Sequence, residues 1–207
     1  MDKLNDKQIR EALVQKLSKK DSTDIWQEYE MHFDEFNMIH GINDFHMVRA
    51  DIVSINGHLT GYEIKSDVDS LDRLPNQIVG YSRLFDYNYL VVGEKLYDEA
   101  VKLLPNFWGV ILAKQLKSGA VRLVMRRKAR LNPNDTFNYY FSRIAGPDLK
   151  KYVVPLITEP GPERTEMRRW PKSAVVQKYA EKIAPSLQNK IKGIVRESMK
   201  KRVRSFN

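Results

Sequence analysis

Residues 48–65 read Val-Arg-Ala-Asp-Ile-Val-Ser-Ile-Asn-Gly-His-Leu-Thr-Gly-Tyr-Glu-Ile-Lys, and they decide the fold. Residues 48–55 and 59–65 are rich in Val, Ile and Tyr, the residues of half-buried strands. Between them Asn56-Gly57 is a strong hairpin signal. The first strand carries Asp51. The second carries Glu63 and Lys65, which stand two apart and so face the same way. A strict two-residue loop at Asn56-Gly57 pairs positions summing to 113 and sets Asp51 opposite Tyr62. A sum of 114 sets Asp51 opposite Glu63 instead. A site shared by both acids therefore predicts an odd-length turn or a bulge in this hairpin, and Gly57 and Gly61 tolerate the positive φ that such features use.

Two carboxylates and a lysine at one place fit metal-assisted phosphodiester hydrolysis. Mg²⁺ takes oxygen ligands from a few carboxylates plus water. It activates a nucleophile and neutralises the leaving oxygen, and Mn²⁺ is a ready substitute. Asp51 and Glu63 are the expected ligands, and the Ile64 carbonyl is a further oxygen between Glu63 and Lys65. The Lys65 ammonium is expected to face developing negative charge. The competing reading is an ordinary amphipathic hairpin with a surface Glu-Lys pair. A helix predicted over 71–86 follows, with Asp72 or Ser70 as its cap and Pro75 in its first turn. It sets Arg73, Gln77 and Tyr81 on one face, suited to positioning a substrate strand. Read alone, Tyr81 is a core aromatic and Gln77 a solvated residue.

The rest of the chain supplies an α/β setting. Leu4, Ile9, Leu13, Val14 and Leu17 recur at helical spacing, predicting a helix over 3–18. Ile25, Trp26, Tyr29, Phe33 and Phe36 are read as the apolar set of a second helix over 24–37. Short apolar runs at 89–92, 108–112 and 121–125 predict strands, and 95–104 and 135–144 predict helices. Glu159-Pro160-Gly161-Pro162 is read as a boundary, giving a core over 1–158 and a basic, mostly helical arm over 159–207 that breaks at Pro185.

Charge is concentrated in that arm. The whole chain of 207 residues carries a formal +9. Residues 164–207 hold 13 Lys/Arg against 3 Asp/Glu, leaving 22 against 23 before them. A basic segment on a neutral body points to a polyanion, with nucleic acid the expected partner and DNA favoured over RNA. Arg168, Arg169, Lys190, Lys192, Arg196, Lys200, Lys201, Arg202 and Arg204 are the candidate phosphate contacts. The bland reading is a solvated helix whose charge aids solubility. The tail's apolar face (Ile191, Ile194, Val195, Met199, Val203) offers a third: a homo-oligomer or protein-partner interface. There is no cysteine, so no disulfide or thiolate metal site is available, which suits a cytoplasmic setting. No apolar run approaches the roughly 20 residues of a membrane span, and no membrane partner is expected.

These residues together resemble the PD-(D/E)XK, or restriction-endonuclease-like, phosphodiesterase superfamily. Asp51 matches its first acidic position, with Ala50 in place of the namesake proline. Glu63 and Lys65 match the (D/E)XK motif. Gln77 and Tyr81 resemble the Gln-x-x-x-Tyr motif of the RecB-like branch. Residues 49–53, 61–67, 90–93 and 107–110 resemble a small bacterial and phage family within it. The resemblance covers residues 30–113. It implies a mixed central sheet flanked by helices, a Mg²⁺-dependent nuclease activity and an upstream helical acidic ligand. Glu35 is the choice for that ligand, with Glu28, Glu30 and Glu11 as rivals. Asp67 and Asp69 read as loop features, the four histidines as structural or exposed, and Trp108 as core.

Overall fold

The computed structural model describes residues 4–32, 47–134 and 136–206 of the chain. They fall into two compact units that divide at Asn134, earlier than the 158/159 boundary expected from the Pro-Gly-Pro run. Gly161 and Pro162 instead open a helix within the second unit.

The first unit is α/β. Its order is α1 (Asp6–Ser18), β1 (Asp24–His32), β2 (Met47–Asn56), β3 (His58–Lys65), α2 (Leu74–Leu84), β4 (Tyr87–Gly93), α3 (Tyr97–Leu103), β5 (Gly109–Gln115) and β6 (Val121–Arg127). The six strands form one mixed sheet in chain order. β1, β2 and β3 are antiparallel neighbours, β3, β4 and β5 run parallel, and β6 returns antiparallel.

α1 begins where Asn5 and Gln8 form a reciprocal capping box. Its stripe of Leu4, Ile9, Leu13 and Leu17 packs on Ile52, Tyr62, Ile64, Val91 and Ile111. Those strand residues alternate with Gly61, Glu63 and Lys65, which face the other way. On that side α2 closes onto Gly61. A Cβ there would lie 2.8 Å from Tyr81 Cδ1 and would also strike the Phe85 ring. Gly61 thus serves close helix–sheet packing, not the bulge considered for it.

Two expectations are corrected. Residues 24–32 form a strand, because Ile25, Trp26 and Tyr29 are also good strand residues and eight positions pair with β2. The helical spacing leaned on Phe33 and Phe36, which lie outside the described residues, as does Glu35. α2 has neither Asp72 nor Ser70 as its cap: Arg73 occupies that position without a side-chain hydrogen bond, and Pro75 sits in the first turn as expected.

The second unit is helical: α4 (Phe137–Ser142), α5 (Gly146–Asp148), a π-helical turn (Leu149–Val153), α6 (Val154–Ile157), α7 (Pro162–Met167), α8 (Lys172–Tyr179) and α9 (Pro185–Arg204). Pro185 starts α9, where its missing N–H costs nothing. Ile191, Val195, Met199 and Val203 of α9 are buried within this chain. Four of the five residues of the stripe that the sequence offered to a partner thus belong to this unit's own core, and Ile194 is half-buried. Among the described residues no helix is long and apolar enough to cross a membrane.

Candidate active site

The hairpin register brings the acids together. Asn56 pairs with His58, leaving Gly57 alone at the turn with φ +66°. Ile52 pairs with Tyr62, so positions sum to 114 and one further step aligns Asp51 with Glu63. This is the odd-length turn that a shared site requires. The paired ladder ends at Ile52 and Tyr62, and beyond it side chains take over the backbone's hydrogen bonds. Asp51 Oδ2 accepts from the Ile64 N–H at 2.8 Å. The Tyr81 hydroxyl accepts from the Asp51 N–H at 3.2 Å and reaches the Tyr62 carbonyl at 3.1 Å.

Tyr81 also donates to Glu63 Oε2 at 2.8 Å, and Lys65 Nζ lies 3.0 Å from Glu63 Oε1. Glu63 is 1% exposed and Lys65 4%. Burial raises the Glu63 carboxyl to about 7, with Asp51 adding to the rise and Lys65 and Tyr81 opposing it. The Asp51 carboxyl is also raised, chiefly by burial, against the pull of the Ile64 N–H and Arg10. Burial and the two acids push the Tyr81 hydroxyl well up, so it keeps its proton and remains a donor.

Gln77 stands one turn before Tyr81 on α2, half-buried, and its Oε1 is buried without a hydrogen-bond partner. Arg73 is exposed, two turns ahead of Tyr81 at the start of α2. Glu28 occupies the position beside Asp51 in the β1–β2 register, with φ +53°, a conformation costly for a non-glycine residue. Its carboxylate lies 3.8 Å from Arg49.

One participant was missed. Arg10 of α1 donates through Nη1 to the Asp51 carbonyl at 2.8 Å and through Nη2 to Asp51 Oδ1 at 3.1 Å. Its sequence signal was slight: a cation next to buried Ile9, with Asp6 one turn earlier.

A divalent cation is testable against these donors. Asp51, Glu63 and the Ile64 carbonyl are the available oxygens. In a strand a residue's N–H and C=O leave on the same side, so the Ile64 carbonyl shares the gap that its N–H spans to Asp51. Mg²⁺ is commonly held by one or two carboxylates with water completing the shell, and this set fits that pattern. Each carboxylate oxygen already has one internal donor and retains another lone pair. Among the described residues no group of three or more His, Asp or Glu is arranged to hold a metal.

The arm's cations are largely engaged at home. Lys192 donates to Thr136 Oγ1 at 2.8 Å and lies over the Tyr140 ring. Arg196 reaches the Tyr140 hydroxyl at 3.2 Å, and Arg202 the Arg143 carbonyl at 2.6 Å. Lys200 pairs with Glu197 and Lys201 with Asp148. Arg168, Arg169, Lys190 and Arg204 are exposed. Asp67 accepts from the Lys95 N–H and Asp69 from the Ser66 N–H, both loop roles. Trp108 is fully buried, and the described histidines His32 and His58 are exposed.

The first unit is thus a mixed α/β sheet protein with a two-acid, one-lysine centre, buried at Glu63 and Lys65 and half-buried at Asp51, closed by a tyrosine. The chain belongs to the bacteriophage P4 protein cII family, whose profile matches residues 1–207. It is 35% identical over 83 residues to protein cII of Enterobacteria phage P4, a match covering 40% of this chain and 31% of that protein. No solved structure matches the chain.

Proposed function

We propose that this phage-family protein is a divalent-cation-dependent nuclease with a restriction-endonuclease-like core, acting on DNA. The observation that carries the reading is the one-residue turn at Gly57, which aligns Asp51 with Glu63 and leaves Lys65 on Glu63. A hairpin with only structural duties has no need to bury an acid and a lysine beside a second, half-buried acid, since burying charges is costly.

When bound, Mg²⁺ or Mn²⁺ supplies activation of water and neutralisation of charge at the phosphate. Asp51 and Glu63 would hold the cation, with the Ile64 carbonyl facing the same gap. Lys65 places its ammonium beside the developing negative charge. Tyr81 keeps Glu63 oriented through its short hydrogen bond. Gln77 brings an unpartnered amide oxygen one turn away, available to a water or to the substrate strand. The exposed Arg168, Arg169 and Lys190 are the best phosphate contacts on the basic segment, making binding fall steeply with salt.

A specific observation favours a second reading, a catalytically silent module for DNA binding or partner assembly. All four carboxylate oxygens have internal donors, and Glu63 is almost wholly withdrawn from solvent. The deciding experiment is cleavage of linear, circular and single-stranded DNA with Mg²⁺ or Mn²⁺, comparing wild type with Lys65→Ala. Cutting that vanishes in the variant supports the nuclease. Salt-sensitive binding without cutting by either protein supports the silent module.

A further inference from the structure

Positive charge reaches the two acids from different elements. Lys65 stands on the strand with Glu63, whereas Arg10 comes from α1, and its guanidinium is divided between two carboxylates. Nη1 and Nη2 hold Asp51 by its carbonyl and Oδ1. Nε and Nη2 hold Asp6 at 3.1 and 3.3 Å. Asp6 lies one helical turn away with its side chain 44% exposed, so this second anchor depends on nothing in the site. The other oxygen of Asp51 is fixed by a main-chain N–H of the sheet. The oxygen on which Arg10 sits is therefore the exchangeable one, and the Asp51 side chain as a whole is 16% exposed. A dication approaching Asp51 Oδ1 contends with the guanidinium for the same oxygen and is repelled by its charge.

We infer that Arg10 is a resident counter-ion that a divalent cation displaces. In the cation-free protein it holds Asp51 in place. On cation binding it leaves Asp51 Oδ1 and stays on Asp6. The inference rests on the metal-dependent reading of the site but not on cleavage.

The test is calorimetric binding of Mn²⁺ to the full chain, wild type against R10Q and D6N. R10Q should bind Mn²⁺ roughly tenfold or more tightly than wild type, because a cation beside the site is gone. D6N should bind more weakly, because a guanidinium without its second anchor bears on Asp51 alone. Equal or weaker binding by R10Q, or no Mn²⁺ binding to any form, overturns the inference. Should R10Q fail to fold, D6N decides, and binding as tight as wild type overturns it. Tighter binding by R10Q with no DNA cleavage by any form would remove the nuclease reading and leave the exchange standing.

Discussion

Replacing Glu63 with Gln should remove a pH dependence of stability that the wild type carries between about pH 4.5 and 7. The folded protein holds the Glu63 proton until about 7, whereas the unfolded chain releases it near the ordinary 4.5. Between those values the folded state binds the extra proton. This contribution is complete below 4.5 and is lost as pH rises through 7. Moving a carboxyl that far corresponds to about 3 kcal/mol. In a chain of this size that shifts the melting temperature by roughly 6–12 °C. The assay is thermal and urea unfolding of both proteins in EDTA across this range. Other titrating groups are common to both, so the difference between the curves isolates residue 63. Wild-type stability should fall relative to E63Q as pH rises. Parallel curves would refute the reasoning, because they would mean that burial and Asp51 do not hold the proton on Glu63. Repeating the wild-type series with Mg²⁺ should flatten its decline, since a bound cation favours the ionised carboxylate.

Tyr81→Phe leaves acceptors on Glu63 and Tyr62 and the Asp51 N–H without their partner, and should cost about 1–3 kcal/mol by urea unfolding. It should also move the pH window of Glu63 upward, since Tyr81 holds that carboxyl down. Gly61→Ala drives a methyl into Phe85 and Tyr81, both fully buried, and should cost about 1–3 kcal/mol in the same assay. In the helical unit, Lys192→Ala with Arg202→Ala should lower the melting temperature, because these cations satisfy Thr136 and the Arg143 carbonyl. Arg168→Ala with Arg169→Ala should instead leave stability within about 0.5 kcal/mol, as surface changes do, and weaken DNA binding measured by salt titration.

The hairpin was legible because strand composition, the Asn-Gly turn and the two-residue period of side chains act over short distances. Even the parity of the turn followed from asking where Asp51 and Glu63 must lie. β1 was misread because five apolar positions fitted a helical stripe about as well as a strand, and the partner that decides, β2, lies beyond residue 46. Arg10 was out of reach for the same reason: its bond to Asp51 spans 41 residues, and nothing local announces it. The basic arm shows a different limit. Counting Lys and Arg located the charge, but composition does not say that Lys192, Arg196 and Arg202 turn inward to main-chain and hydroxyl oxygens.

The placement of the centre has a kinetic corollary. Asp51, Glu63, Lys65 and Tyr81 all belong to one hairpin and the helix that follows it, so their contacts close short loops. Such contacts are reached early in a folding search, whereas pairings between distant segments lag. Substitutions at Gly57 or Gly61 should therefore slow folding, with high φ-values, while those at Arg10 or Asp6 should chiefly hasten unfolding. The acids would then be fixed relative to one another before α1 arrives to lock them.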